Sequence, residues 1–228
     1  EIAASARRIL DEVESINGTA RNRRDPLSGK FRLGAFPTLA TYVFPDLVPQ
    51  INAALPDLRL ILIEEKTAVL LDSLGEGKID AVLLALPVHD NFLVSHPLFT
   101  DEFLLAVSPQ HPLARQKRLD PKVLQDHELL LLEEGHCLRD QALEVCQLNG
   151  LAREQDFRAT GLETLRQMVK AGTGITFMPK IAVRKNEPGI RYIPFAGKPP
   201  ERTIGLVWRK TTTRAPVIER LINLFTNK

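Results

Sequence analysis

Few features of this 228-residue sequence are concentrated enough to name a chemistry at sight. Its two cysteines are too few for the disulfide framework of a small secreted domain, so a reducing cytoplasm is the expected compartment. No apolar run reaches the roughly 18 residues of a membrane span, and no signal peptide or lipobox opens the sequence as given. A membrane partner is therefore not expected. The net charge of +2 is too small to argue for nucleic acid by itself. There is no Walker A stretch, and Gly172-Thr173-Gly174 leads into strand-like text rather than opening a helix, which speaks against dinucleotide binding. The histidines (His89, His96, His111, His127, His136) form neither H-x₃-H nor H-E-x-x-H, no CxxC is present, and no G-x-S-x-G elbow occurs. No cofactor and no metal are expected.

What remains is an ordinary apolar content of 44%, arranged with a clear rhythm. Ile2, Ala6, Ile9, Val13 and Ile16 fall on a coiled-coil seam for about two heptads, until Asp25-Pro26-Leu27-Ser28-Gly29 breaks the pattern. Residues 1–24 are expected to be the end of a linker helix that pairs with another chain. The opening at Glu1 suggests a piece cut inside that helix. Phe31, Leu33 and Ala35 alternate as a strand does, and Thr38 is placed to cap a helix running toward Leu55, disturbed by Pro45 and Pro49. Leu58–Ile63 is strand text of the buried type. Thr67–Leu74, with Thr67 as a second candidate cap, is a helix stopped by Gly75-Glu76-Gly77. Ile79–Leu86 shows no polar alternation, as in a parallel strand covered on both faces. Shorter strands are expected at 103–107, 129–132, 174–178, 190–195 and 204–208, before an amphipathic helix carrying Val217, Ile218, Leu221, Ile222 and Phe225. Strands alternating with helices argue for a doubly wound α/β architecture.

The cysteines sit in Gly135-His136-Cys137-Leu138-Arg139-Asp140-Gln141-Ala142-Leu143-Glu144-Val145-Cys146. If 138–148 is helical and stops at Asn149-Gly150, the spacing rotates the two cysteines to opposite faces and separates them by roughly 13 Å. A disulfide needs Cα atoms within about 7 Å. Bond and helix therefore exclude one another, and any disulfide here requires partial dismantling of the helix. Cys137, at a helix start with His136 and Arg139 nearby, is expected to favour thiolate, opposed by Glu133 and Glu134. Cys146 on the apolar face would be the poorer nucleophile. Two inert buried thiols, or a contribution to a zinc site, remain alternatives to redox chemistry.

The segment Gly135-His136-Cys137-Leu138-Arg139-Asp140-Gln141-Ala142 with Cys146 resembles the redox segment of peroxide-sensing members of the LysR-type transcriptional regulator family. Phe36-Pro37-Thr38, Gly77-Lys78-Ile79-Asp80, Leu162-Glu163-Thr164-Leu165-Arg166 and Arg202-Thr203-Ile204-Gly205-Leu206-Val207 also read like that family, so the resemblance spans nearly the whole sequence. It implies two Rossmann-like lobes joined by two crossover strands, as in periplasmic binding proteins, preceded by the linker helix. The implied division is residues 25–99 plus 206–228 for one lobe and 100–205 for the other, with a winged helix-turn-helix outside this piece.

By that resemblance Cys137 would be peroxidatic and Cys146 resolving. Thr38, Thr67 and His136 would form the peroxide pocket, and Arg139 and Arg202 would support it electrostatically. The implied output is a regulator rather than an enzyme: a homodimer or homotetramer repacked by the disulfide and reset by glutaredoxin or thioredoxin systems. It would act on promoter DNA and RNA polymerase only through the full-length protein. An effector domain binding a small organic ligand between its lobes, and a thiol peroxidase, are the competing functions. Side-chain capping by Thr38 and Thr67, a surface pair between Arg139 and Glu133 or Glu134, and an edge position for Arg202 are the competing structural roles.

Overall fold

A computed structural model describes residues 25–127, 129–148 and 154–226. The linker helix expected over 1–24 and the helix stop at Asn149-Gly150 lie outside them.

Alternating apolar residues build β1 (Gly29–Ala35), whose inward side chains Phe31, Leu33 and Ala35 are completely buried. Pro37 supplies the first-turn geometry of helix α1 (Pro37–Ala54), which continues through Pro45 and Pro49. β2 (Leu58–Glu64) runs parallel to β1. It is an edge strand rather than the buried type expected, and Leu62 is 42% exposed. Its apolar run had imitated a central strand. Helix α2 (Thr67–Gly75) follows, then β3 (Ala81–Leu86). β3 is parallel to β1 but antiparallel to its other neighbour, so the sheet is mixed and not the all-parallel one that unbroken hydrophobicity suggested.

The largest departure from expectation is β4 (Leu93–Val107), a 15-residue strand of which only the last part had been legible. Its antiparallel neighbour β9 (Glu201–Arg209) lies between β3 and β4, so the sheet order begins β2-β1-β3-β9-β4. The first part of β4 pairs with β9. Its end pairs with β7 (Thr176–Pro179) and β8 (Arg191–Pro194). β5 (Leu129–Leu132) and β6 (Glu154–Ala159) form a separate parallel pair. The later α-helices are α3 (Cys137–Leu148), α4 (Leu162–Lys170) and α5 (Ala215–Thr226), and short 3₁₀ helices form at Pro112–Arg115, Pro121–Asp126 and Lys180–Ala182.

Two hydrophobic cores result. One gathers β1, β3, α1, α2, α5 and most of β9; the other gathers the end of β4, β5, β7, α4 and the start of α3. The two lobes are thus joined by β4 and β9, which run from one core into the other as paired crossover strands.

At this crossing Gly205 permits a close approach. A Cβ there would lie 2.6 Å from Leu86 Cδ1 and 2.9 Å from the backbone oxygen of His96. Leu86 could turn aside, but the His96 carbonyl belongs to the ladder. Gly205→Ala is therefore expected to lower stability by about 1–3 kcal/mol, read as a fall in the urea midpoint at unchanged slope.

Candidate functional site

Asp101 of β4 and Arg202 of β9 are partners in the crossover ladder, so their side chains meet where one lobe passes into the other. Both are almost wholly buried. Arg202 Nε and Nη2 donate to Asp101 Oδ2 at 3.0 and 2.8 Å, while Asp101 Oδ1 accepts from the Ile181 backbone at 3.1 Å. The guanidinium has the Phe36 ring 5.1 Å away and the Phe103 ring 5.6 Å away. It also reaches α1: Nη1 donates to Thr38 Oγ1 at 3.2 Å and Nη2 to the Thr38 carbonyl at 3.3 Å. Arg202 is thus a central buried residue and not an edge residue. Asp101 escaped sequence reasoning because a carboxylate in an alternating stretch looks solvated.

Cys137 is a free thiol that opens α3, and the nearby Arg202 guanidinium acts on it electrostatically. Its helix belongs to the second lobe, where Leu138 and Ala142 enter the core, yet Cys137 itself packs against the core of the first. Burial pushes the Cys137 thiol up from its ordinary value; the Arg202 charge works against burial, and Asp140 adds to it. The expectation of a thiolate favoured by His136 and Arg139 is corrected accordingly. Burial foremost, and then the Lys66 charge, lower the proton affinity of His136, which works against any cationic support from it. Arg139 is buried, and its Nη1 donates to the Leu132 carbonyl at 3.3 Å, so the surface position expected for it is corrected. The cation that assists the thiolate among the described residues, Arg202, is contributed by strand β9.

His136 is buried, with Nε2 3.8 Å from Glu133 Oε1 and no hydrogen-bond partner among the described residues. Thr38 is buried and joins the cluster through Arg202. Thr67 stands half-buried at the first position of α2, next to Lys66, and no side-chain bond from it to Cys137 is seen among the described residues. Neither threonine caps its helix: the cap positions are Phe36, two residues before Thr38, and Lys66, one before Thr67, and neither makes a side-chain capping bond.

Cys146 lies in the same continuous helix as Cys137, and its side chain is outside the described part. Helical rise alone separates their Cα atoms by roughly 13 Å. The arrangement therefore presents one thiol to the interlobe space, beside a buried guanidinium that stabilises its ionised form. Among the described residues, no three His, Cys, Asp or Glu side chains gather as a metal site would require.

This two-lobed geometry has counterparts. The model of the LysR substrate binding domain matches residues 24–228. The chain belongs to the LysR substrate-binding domain family. Among curated LysR-type relatives, it is 41% identical over 206 residues to the hydrogen peroxide-inducible genes activator of Haemophilus influenzae, covering 90% of this chain and 68% of that protein. Among solved structures, it resembles the oxidized form of OxyR at 39% identity and a TM-score of 0.80, over 89% of this chain and 97% of that one. It resembles the reduced form of OxyR at 38% identity and the same TM-score, over 89% and 98%. No helix among the described residues is long and apolar enough to cross a membrane.

Proposed function

We propose that this chain is the hydrogen-peroxide-sensing regulatory domain of a LysR-type transcriptional regulator, switched by a reversible Cys137–Cys146 disulfide. The observation that carries the reading is the seat of Cys137: a free thiol between the lobes, under the influence of the Arg202 charge, in a helix that cannot contain the bond. Its similarity to a peroxide-inducible activator and to OxyR in both redox forms supports the same reading.

The Cys137 thiolate attacks one oxygen of peroxide as the O–O bond breaks, and hydroxide leaves to be protonated to water. The resulting sulfenic acid is attacked by the Cys146 thiol; the S–O bond breaks, a second water leaves, and the disulfide forms. Arg202 holds the reacting thiolate against the cost of burial. Thr38, tied by its hydroxyl oxygen to Arg202, keeps its proton to donate, and the unpartnered His136 Nε2 offers a further polar contact. Thr67 would close the pocket from α2, and Arg139 would brace the reduced helix start from behind. The lobes correspond to residues 25–99 plus 206–228 and to 100–205.

Two electrons from a cytoplasmic glutaredoxin or thioredoxin system reverse the reaction, so the domain is a stoichiometric sensor and not an enzyme. Refolding between the cysteines repacks a homodimer or homotetramer. Promoter DNA and RNA polymerase are met through the full-length protein.

Brief peroxide exposure followed by peptide mass spectrometry should reveal a Cys137–Cys146 link at about one peroxide consumed per chain, and Cys137→Ser should abolish it. Continuous turnover with a reductant would instead make the chain a peroxidase. A Cys137→Ser protein that still responds to peroxide would remove the basis of the reading.

A further inference from the structure

The turn that delivers Cys137 is gripped from the opposite lobe. Lys66 precedes α2 in the first lobe, whereas Glu133, Glu134 and Gly135 join β5 to α3 in the second. Lys66 Nζ donates to Glu133 Oε1 at 2.6 Å and to the Glu134 carbonyl at 3.2 Å. Its stem lies over Gly135, where φ is +86° and a Cβ would come 3.2 Å from Lys66 Cδ. His136 Nε2 is 3.8 Å from the same Glu133 oxygen. A single ammonium thus reaches two of the residues just before Cys137 and covers a third. Two further ties of this turn, Glu133 N–H to the Ala159 carbonyl and Arg139 to the Leu132 carbonyl, stay within the second lobe.

We infer that Lys66 is a positioning residue that latches the cysteine turn to the first lobe and thereby sets the balance between dithiol and disulfide. The inference rests on the disulfide reading above. Closing the bond brings Cα atoms from roughly 13 Å apart to within about 7 Å, so at least one end of α3 must unwind and move. If the Cys137 end leaves its seat, the residues immediately before it are drawn away, and the contacts of Lys66 to Glu133 and Glu134 are lost. The latch therefore stabilises the dithiol form and not the disulfide. Oxidation remains the two-electron reaction with peroxide already written; Lys66 takes no part in bond making and alters only the relative stability of the two forms. Both partners of the ion pair are more than a third exposed, so the latch is a modest bias, weakened by salt.

The test is the reduction potential of the Cys137–Cys146 couple, measured against a glutathione buffer series by quantifying thiols after acid quench. Lys66→Met is expected to raise the equilibrium constant for disulfide formation by up to about fivefold. That is a potential more negative by about 20 mV, and the difference should shrink in high salt. Lys66→Arg should retain the original value, and Lys66→Glu combined with Glu133→Lys should recover part of it, which a purely structural role equal in both forms would not produce. An unchanged potential in Lys66→Met, with the disulfide forming normally, overturns the latch and leaves the sensor reading intact. A shift that the exchanged pair does not reduce also overturns it. Absence of any Cys137–Cys146 link in the unmodified protein defeats the sensor reading itself, and the latch with it.

Discussion

Arg202→Met is expected to cost about 3–5 kcal/mol of stability, because it strands the Asp101 carboxylate inside the protein. Asp101 keeps only the Ile181 amide after the substitution, having lost both guanidinium contacts. The loss should appear as a large drop in the urea midpoint. A second effect separates this site from an ordinary buried ion pair. Without the guanidinium, Cys137 keeps the full upward pressure of burial on its thiol and loses the opposing charge. Alkylation of Cys137 at neutral pH should therefore slow, and peroxide oxidation with it. Pairing Arg202→Met with Asp101→Leu should recover much of the stability, since no orphan charge remains, but not the thiol reactivity. Recovery of both together would show that Arg202 acts on the sulfur only through general packing.

The second large effect is expected at Arg166, whose side chain is fully buried. It donates to Glu163 at 3.1 Å, to Glu187 at 2.8 Å, to the Ala182 carbonyl at 2.5 Å and to Tyr42 at 3.4 Å, with Tyr192 also in contact. Tyr42 comes from α1, yet its ring packs against the second lobe's core, so this network ties the lobes at a point distinct from the crossover. Burial by itself would raise the Glu187 carboxyl. Hydrogen bonds from Lys170 and Tyr192, with the Arg166 charge, overcome it and hold the group at about 2, well below its ordinary 4.5. A lowered carboxyl contributes stability that is complete above the unfolded value and disappears as pH falls from 4.5 toward 2. Arg166→Met should lose about 3–5 kcal/mol at neutral pH and show a shallower acid limb, since part of what acid removes is already gone. Urea titrations at pH 7 and pH 3 measure both effects, and a parallel loss at the two pH values would contradict the assignment.

Much of the fold was open to sequence reading where one face of an element is apolar. β1 alternates, α2 reads from Thr67 to a glycine stop, and α5 shows its stripe. The cysteine segment was legible too, because helix geometry alone sets its spacing against a disulfide. The interior charges were not. Arg202 was singled out through the family resemblance, but by itself it looks like a solvated residue, as do Arg166 and Asp101, because the partners are remote: Thr38 lies 164 positions from Arg202 and Tyr42 lies 124 from Arg166. β4 was half missed because it changes environment along its length, with His96 and Asp101 interrupting the pattern of a strand settled in one core. The sign of the effect on Cys137 was missed for a related reason. Helix start and sequence neighbours suggested an electropositive setting, while the dominant influence is exclusion of water by residues far away in sequence.

The central position of β9 also bears on how the chain is made. β9 inserts between β3 and β4, so the sheet of the first lobe has a gap until residues 201–209 exist. A chain emerging from the ribosome can assemble β1, α1, β2, α2 and β3 early, but it exposes the β3 edge and an unfinished apolar face until β9 has been made. The second lobe is better placed to settle first, since α3, α4, β5 and β7 are all translated before β9. Arg202 then arrives as part of the closing strand and meets Asp101, Thr38 and Cys137 in one event. The lobe that begins the sequence is the later one to close, and the thiol gains its guanidinium only when it does.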